Sequence, residues 1–385
     1  MSVLALLVGA CSSPATDGGQ GATPQQTDAP ADVTPDATDA ATAETPDATE
    51  AATATEEAPP ERASLNVAQL SPAPVLYANL WIAEVLGYYE EEALDVELTG
   101  QVPRGTAMDA MVLGEFDIAG TSNAYVIAYA AERDTDEVQI FMNDLDWFWG
   151  VWVLPDSEVQ TVSDLAGMTI GTREQADDSV ANLQLTASGE LTPEDYELLP
   201  VGGRAVAGVA LQNGDIDAFM GSLFDEHFIR EAGVDIRLVD LGVDFTRFYN
   251  SGYSTTRTFL EENRDVIVRF GRALAKATIW QIHNPEMTIE LLGEIVPEAV
   301  EEDPEGSLAL LTGAVNPASE RTLEERLYAN PENWQELIDV YADVGVIDES
   351  FPATNIVTDD PELIEEIWDF DVEQVIADAE AGRRP

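Results

Sequence analysis

An aromatic segment at residues 143–150 offers the most distinctive chemistry in this sequence. Trp147, Phe148 and Trp149 are consecutive, and Asp146 directly precedes them. Aromatic rings select flat ligands through offset stacking, and a carboxylate accepts hydrogen bonds from the N–H groups of a heterocycle. The segment predicts that Trp147, Trp149 and Asp146 contact a planar organic molecule. The alternatives are a buried hinge or a protein-contact patch for the rings, and a solvated loop for the acid.

Three arginines in predicted loops could bind an anion instead. Arg104, Arg173 and Arg204 each lie near the expected start of a helix, and a guanidinium clamps an anion through two parallel hydrogen bonds. In a chain with 74 acidic residues, an ordinary surface salt bridge is the competing interpretation for each arginine. The residues alone therefore leave open the choice between a planar heterocycle and a small anion.

Polar and aromatic residues next to predicted helix starts complete the candidate site. Their side chains, together with free backbone N–H groups at a helix N-terminus, could receive a carboxylate, sulfonate or carbonyl oxygen. Thr121 and Ser122 could equally be simple helix caps. The members of this set are Tyr77, Asn79, Thr121, Ser122, Asn123, Ser222 and Phe224. Tyr249 lies on a predicted extended crossing and could line the floor of the ligand cleft.

Residue types that carry catalysis or bind metals are scarce. Cys11 is the only cysteine, and the two histidines are His227 and His283. Neither histidine has a nucleophile or a metal-ligand partner at a suggestive spacing, and a single cysteine allows no intrachain disulfide. We therefore expect no catalytic residue, no metal and no cofactor, and a binding protein rather than an enzyme.

The position of Cys11 indicates a lipid anchor. Residues 3–8 form a short apolar run, and Val8-Gly9-Ala10-Cys11 resembles a bacterial lipobox, whose cysteine is acylated after cleavage in front of it. We expect residues 1–11 to be a signal peptide with its lipobox. The run lacks a preceding Lys or Arg, so the natural start is expected upstream of Met1. With no run of roughly 18 apolar residues, acylated Cys11 alone would hold the protein outside the cytoplasm, at the cell surface or in the periplasm.

Composition separates a tether from a folded region and excludes one class of partner. Residues 12–63 are almost entirely Ala, Thr, Pro, Asp, Glu, Gly and Gln, which predicts a disordered acidic tether. The net charge is −57, and Lys276 is the only lysine. No nucleic acid partner is expected, because binding phosphates requires a basic surface. The excess of acidic residues predicts a hydrated surface suited to salty surroundings or, alternatively, a cleft that attracts cations.

Alternating strand and helix patterns position these residues. Period-two segments such as 94–98 alternate with helical segments such as 77–88. Such alternation predicts an α/β fold.

Two extended crossings, near residues 147–155 and 247–254, divide the alternating region. We expect a first lobe at 64–154 plus 247–385 and a second lobe at 155–246. A ligand would bind in the cleft between the lobes, where strand ends and helix N-termini converge.

Five short stretches occur in an order and spacing that is more specific than any one of them. Met111-Val112-Leu113-Gly114-Glu115-Phe116-Asp117-Ile118-Ala119 is one, and Leu211 to Ala218 repeats its pattern of helix end, glycine and strand start. The complete set comprises 80–89 with 93–96, 111–119, 162–171, 211–218 and 270–277. In these stretches the chain resembles the substrate-binding proteins of the sulfonate, taurine, nitrate and thiamine-pyrimidine importers. Ala93 departs from that family, which usually has Gly there.

The resemblance implies a two-lobed clamshell of the periplasmic-binding-protein type. Such a protein closes on a small molecule and delivers it to the permease and ATPase of an ABC importer. We expect a monomer that binds a vitamin-like N-heterocycle such as the thiamine pyrimidine. The alternatives are a small anion (sulfonate, taurine or nitrate) as ligand, or a pyrimidine-synthase-like enzyme, a sensor subunit or an adhesin on the same fold. Asp117 and Asp217 should build the fold without touching the ligand.

Overall fold

The computed structural model describes residues 60–70, 74–102, 104–133, 136–143, 146–301, 303–315 and 321–385. Cys11 and nearly all of the predicted tether lie outside the described residues. Only the end of that stretch is described, and its last residue, Ala63, starts the first strand.

The strands of the described chain form two five-stranded sheets with the same arrangement. The first sheet has the order β2-β1-β3-β10-β4 and the second has the order β7-β6-β8-β5-β9. In each sheet one strand arrives from the other half of the chain and pairs antiparallel with both neighbours, β10 in the first and β5 in the second. The bounds are β1 Ala63–Leu70, β2 Leu94–Val102, β3 Ile118–Ser122, β4 Glu137–Met142, β5 Trp149–Val153, β6 Thr169–Thr172, β7 Glu197–Pro200, β8 Ala218–Ser222, β9 Arg237–Leu238 and β10 Ser251–Thr256.

Helices cover both sheets, which confirms the predicted α/β class. We call the part of the chain around the first sheet lobe 1, and the part around the second sheet lobe 2. Lobe 1 carries α1 Ala78–Val85, α2 Tyr88–Glu91, α3 Arg104–Val112, α4 Asn123–Glu132, α8 Arg257–Glu262, α9 Arg264–His283, α10 Pro285–Ile295, α11 Pro304–Val315, α12 Leu323–Leu327, α13 Pro331–Asp343, α14 Pro361–Ile367 and α15 Val372–Glu380. Lobe 2 carries α5 Asp178–Thr186, α6 Ala205–Asn213 and α7 Leu223–Glu231.

The chain passes from lobe 1 to lobe 2 earlier than predicted. The prediction extended the first lobe to residue 154, whereas β5 hydrogen bonds to β8 and β9 in the second sheet. All five residues of β5 are buried. A strand buried on both faces is a continuous apolar run without alternation, so the sequence pattern resembled an extended crossing. The chain returns to lobe 1 after β9 and reaches β10 at Ser251.

Two equivalent turns confirm that the glycine-acid motifs build the fold. Gly114 and Gly214 follow α3 and α6 with φ of 78° and 73°, a left-handed conformation that favours glycine. Three residues later, the carboxylate of Asp117 accepts the backbone N–H of Asn66 at 2.8 Å, and that of Asp217 accepts the N–H of Thr169 at 2.8 Å. Each aspartate thus ties a strand start to the neighbouring parallel strand.

A buried carboxyl group lies in lobe 1 at the start of β4. Glu137 is 1% exposed, its Oε1 accepts a hydrogen bond from Ser254 Oγ at 3.0 Å, and its Oε2 has no partner within the described residues. Burial raises the pKa of Glu137 to about 8, although the Ser254 hydrogen bond acts in the opposite direction. The carboxyl group is therefore largely protonated in the folded protein at neutral pH.

The free energy of unfolding should depend on pH through Glu137. Because the folded pKa is raised from 4.5 to about 8, the contribution of Glu137 is fully present below pH 4.5 and is lost as the pH rises through 8. We expect Glu137→Gln, relative to wild type, to gain a few kcal/mol between pH 5 and pH 9, since each pKa unit is worth about 1.4 kcal/mol. Urea denaturation across this range measures the difference. Glu97→Gln, at an exposed position on β2, is the control, and an equal pH dependence in all three proteins would contradict the prediction.

Candidate ligand site at the crossing segments

The two segments that join the lobes are hydrogen bonded to each other. We call residues 146–148 and 245–250 the crossing segments. Trp147 donates its backbone N–H to the carbonyl of Phe248 at 3.1 Å, and Asp146 forms an antiparallel bridge with Tyr249. Lobe 1 and lobe 2 also contact each other directly, through α4 with α5 and through α7 with α11. The structure is therefore a closed arrangement, with the crossing segments at the junction of the lobes.

Strand ends of lobe 1 place three amide side chains beside the crossing segments. Asn123 follows β3, Asn143 follows β4, and Asn250 precedes β10, which lies between those two strands. The backbone N–H of Asn123 donates to the carbonyl of Asn250 at 3.0 Å, and the N–H of Asn143 donates to that of Ser251 at 3.3 Å. All three asparagines are buried. The sheet register thus holds Asn123 and Asn143 on either side of Asn250.

Four buried polar atoms near this junction have no hydrogen-bond partner within the described chain. They are the acceptors Asn123 Oδ1 and Gln184 Oε1 and the donors Asn143 Nδ2 and Trp147 Nε1. Asn123 and Gln184 are fixed at their other ends, because Asn123 Nδ2 donates to the carbonyl of Tyr249 at 2.9 Å and Gln184 Nε2 to that of Trp149 at 3.0 Å. An unsatisfied buried polar group costs about 1–3 kcal/mol. These groups are suited to hydrogen bonding with a bound molecule.

The predicted aromatic residues are present at the junction, but part of their ring surface is already occupied. Trp147 stacks on Phe245, with centroids 5.2 Å apart and 26° between the planes. Trp149 stacks beside Phe148 at 6.0 Å, and the guanidinium of Arg173 lies 4.5 Å from its ring centroid. The rings of Trp147 and Trp149 are buried, whereas Phe148 is half-buried. The stacking wall stays a prediction, and Phe148 is its most accessible ring.

Arg173 is bound to carboxylates of its own lobe. Its Nε and Nη2 donate to the two oxygens of Asp177 at 2.8 and 2.9 Å, and Asp225 Oδ2 lies 3.8 Å from Nε. Both aspartates are buried. Burial lowers the pKa of Arg173, but the two carboxylates outweigh it and hold that pKa above its ordinary value. The charge of Arg173 is thus neutralised internally.

Asp225 also occupies the N-terminus of α7. Its Oδ2 accepts the backbone N–H and the hydroxyl of Ser222 at 2.9 and 2.7 Å, and its Oδ1 accepts the N–H of Arg204 at 3.0 Å. Ser222, a predicted ligand contact, caps α7, because its Oγ accepts the backbone N–H of Asp225 at 3.4 Å. The exposed guanidinium of Arg204 lies 4.6 Å from the ring centroid of Phe224, so these two predicted residues contact each other.

The acidic residue of the aromatic segment, Asp146, pairs with an arginine that is not among the predicted contacts. Asp146 forms an ion pair with Arg321, whose guanidinium lies 4.1 Å from the ring centroid of Tyr249. The Tyr249 hydroxyl donates to the carbonyl of Glu325. Asp146 and Tyr249 thus lie at the junction of the lobes, both are engaged with lobe 1, and their contact with a ligand stays a prediction. Gln184, in the last turn of α5, is not among the predicted contacts, because a glutamine inside a helix carries no sequence signal for binding.

Three predicted contact residues are engaged inside lobe 1 instead. Asn79 is fully buried and bonds to Thr278 Oγ1 at 3.1 Å and to the Tyr253 hydroxyl at 2.9 Å. Thr121 Oγ1 donates to Gln139 Oε1 at 3.0 Å, and the ring of Tyr77 packs edge-on against Tyr253 at 6.3 Å. The candidate site therefore does not include these residues.

The two remaining predicted contacts are Ser122 and Arg104. Ser122 caps α4, since its Oγ accepts the N–H of Tyr125 at 3.4 Å. Arg104 is the first residue of α3, and its side chain lies outside the described part.

The described residues contain neither a metal-binding cluster nor a membrane-spanning helix. No group of three or more His, Cys, Asp or Glu side chains in this part of the chain is arranged to hold a metal ion. No helix in it combines the length and the apolar character needed to span a bilayer.

Comparisons with known proteins agree with this architecture. The family model described as "NMT1/THI5 like" matches residues 76–288, more than half of the chain. A formylaminopyrimidine-binding protein of Halalkalibacterium halodurans is 24% identical over 249 residues, covering 61% of this chain and 73% of the relative. A putative aliphatic sulfonates-binding protein of Bacillus subtilis is 23% identical over 228 residues, covering 59% and 67%.

A solved structure shows the same fold. The periplasmic aliphatic sulphonate binding protein of Escherichia coli superposes with a TM-score of 0.57 at 18% identity, covering 77% of this chain and 92% of that protein. The predicted resemblance and the two-lobed fold are thereby confirmed. The chain belongs to the NMT1/THI5-like family.

Proposed function

We propose that this chain is an extracytoplasmic solute-binding lipoprotein that captures a planar N-heterocycle of the pyrimidine type and delivers it to an ABC importer. One observation carries the choice of ligand: among the described residues at the junction of the lobes, the guanidinium groups of Arg173 and Arg321 are paired with carboxylates, while four neutral donors and acceptors have no hydrogen-bond partner. A neutral heterocycle with both N–H groups and ring nitrogens complements such a site.

The pairing of charges argues against an anionic ligand. The guanidinium of Arg173 is held by Asp177 and Asp225, and that of Arg321 by Asp146. Asp225 fills the N-terminal end of α7, where an anion would otherwise find backbone N–H groups. An anion would have to displace one of these carboxylates, at the cost of leaving it buried and unpaired.

The unpaired neutral groups argue for a ligand with its own donors and acceptors. Asn143 Nδ2 and Trp147 Nε1 can donate to ring nitrogens or carbonyl oxygens, and Asn123 Oδ1 and Gln184 Oε1 can accept from amino groups. A site whose polar groups are satisfied only by the right ligand rejects analogues that lack those groups. Phe148 would provide a flat apolar surface beside them.

The relatives support the importer role and the ligand class. One relative is named for binding formylaminopyrimidine, and another for binding aliphatic sulfonates. Capture requires no chemical step: contacts made in the closed arrangement would shift the balance between open and closed forms. The lipobox at Cys11 would keep the binding protein near its permease.

Thermal shift assays on the full chain in high salt test the ligand class. The aminopyrimidine of thiamine should raise the melting temperature, with a stabilisation of about 2.7 kcal/mol at a hundredfold excess over Kd. Taurine, an alkanesulfonate and nitrate should give no shift. A shift with the anions alone would overturn the heterocycle assignment and keep solute binding, whereas no shift with any compound would contradict the proposed function.

Substitution of Trp147 tests whether its indole N–H contacts the ligand. Trp147→Phe keeps a ring against Phe245 and removes the donor, so we expect affinity for the aminopyrimidine to fall about three- to tenfold, the value of one hydrogen bond. Titration calorimetry measures it. Trp368→Phe is the matched control, because Trp368 Nε1 is also buried without a partner in the described residues, but the ring stacks on Phe370 beside α14. Equal affinities in both variants would show that Trp147 does not contact this ligand.

Stability measurements test whether Arg173 stabilises lobe 2 or is available to bind an anionic ligand. Arg173→Met leaves Asp177 and Asp225 buried without their cation, so the free energy of unfolding should fall by about 3–5 kcal/mol. Arg204→Ala removes an exposed guanidinium over an aromatic ring, and should cost less than about 1 kcal/mol. Urea denaturation without ligand gives both values. A small loss in Arg173→Met, or a gain, would indicate a cation held ready for an anionic ligand.

A further inference from the structure

One side-chain contact joins the two lobes far from the crossing segments in sequence. His227 lies on α7 of lobe 2, and Asp303 directly precedes α11 of lobe 1. Their atoms Nε2 and Oδ2 are 2.7 Å apart. Helix α11 packs on α9 and α10 of lobe 1, so it cannot follow α7 when the lobes separate. Opening of the cleft must break this contact.

The carboxylate of Asp303 is held in place by its own helix. Its Oδ1 accepts the backbone N–H of Gly306 at 2.9 Å, which leaves Oδ2 directed at His227. The Gly306 amide and then His227 hold the pKa of Asp303 below its usual range. Asp303 is therefore a carboxylate over the whole range in which an imidazole titrates.

Gly306 provides the space in which the two side chains meet. A Cβ at this position would lie 1.9 Å from Asp303 Oδ2 and 2.2 Å from His227 Nε2. Gly313 lies on the same helix, and a Cβ there would meet Leu223 at 3.8 Å, an ordinary contact distance. The contact of His227 with Asp303 thus requires glycine at position 306. It does not require glycine at position 313.

We propose that His227 and Asp303 form a clasp that holds the lobes closed, and that protonation of His227 tightens it. A neutral imidazole donates one hydrogen bond to the carboxylate, whereas an imidazolium adds the attraction of an ion pair. Because the pair exists only in the closed arrangement, mild acid favours closure and ligand retention, and neutral to alkaline pH favours opening and release. The part of the inference that concerns a ligand rests on the proposed function.

Most of the other charged groups around the clasp are acidic. On α7 they are Asp225, which is bonded to Ser222 and to the N–H of Arg204, Glu226, which is bonded to Arg230, and Glu231. Helix α6 contributes no charged residue, but Arg204 before it lies 5.0 Å from the ring centroid of Phe228. Beside α11 the described charged groups are Glu301, Asp303 and Glu305. The charged neighbours that the structure describes are thus mostly acidic.

The size of the effect follows from the exposure of the pair. The side chains of His227 and Asp303 are 22% and 36% exposed, and partly exposed ion pairs contribute about 0.2–1 kcal/mol. The clasp should therefore tighten ligand binding about 1.4- to 5-fold between pH 8 and pH 5.5. Salt should reduce the effect, because it screens the charges.

Label distances in the ligand-free protein test closure itself. Spin labels on Leu113→Cys of lobe 1 and Ala232→Cys of lobe 2, in the full chain carrying Cys11→Ser, report the separation of the lobes by pulsed EPR. The fraction of molecules with the closed distance should rise between pH 8 and pH 5.5. His227→Gln, which keeps a donor but cannot be protonated, should abolish this rise.

Two glycine variants distinguish a clasp from a merely structural contact. Gly306→Ala should lower the closed fraction at all pH values, since the new methyl group occupies the space of the contact. Gly313→Ala should behave like wild type. An unchanged closed fraction in Gly306→Ala, or a pH-dependent fraction that persists in His227→Gln, would overturn the clasp.

Affinity for the thiamine aminopyrimidine gives the second readout. The Kd of His227→Gln divided by that of wild type should be about 1.4 to 5 at pH 5.5 and near one at pH 8. Taking this ratio cancels the titration of the ligand itself. A constant ratio would overturn the proton dependence, while a protein that closes as described but binds no aminopyrimidine would contradict only the proposed ligand.

Discussion

The fold depends on the pairing of the two crossing segments. One carries the chain from β4 to β5 and the other from β9 to β10, so each sheet receives an antiparallel strand from the far side of the junction. The bond from Trp147 to Phe248 and the bridge between Asp146 and Tyr249 hold the two passages side by side. The backbone passes between the lobes at these two connections, and buried apolar side chains of both lobes belong to one continuous cluster. A change in the angle between the lobes would pivot at these connections and would have to rearrange the apolar contacts between them.

Much of the fold could be predicted from the sequence because its signals are local. The glycines at 114 and 214, and the aspartates three residues after each, act within a turn and on the next strand. The boundary at β5 could not be predicted in the same way. Its five buried residues form an apolar run without period, and the partner strands that decide its sheet are far away in sequence. Local patterns specify elements, whereas long-range pairing decides which lobe an element joins.

The candidate site was only partly predictable for the same reason. Polar residues after strands are good candidates for ligand contact, and Asn123 and Asp146 do lie at the junction. Asn79 looks equivalent in sequence, but its partner Thr278 lies 199 residues further along and engages it in the core. Arg173 has the sequence features of an anion-binding residue, but in the structure Asp225, on α7 of lobe 2, lies beside its guanidinium. Whether a polar side chain is available depends on such distant partners.

Charge acts on this protein at two ranges with different consequences. The net charge of −57 creates a field that repels anions, but the Debye length falls from about 10 Å at 0.1 M salt to 3 Å at 1 M. Discrimination by the field would therefore vanish in salty surroundings. The carboxylates of Asp177 and Asp225 act at hydrogen-bond distance inside lobe 2, where buried charges are screened far less. If selectivity against anions resides in these internal pairs, it therefore persists at high salt concentration.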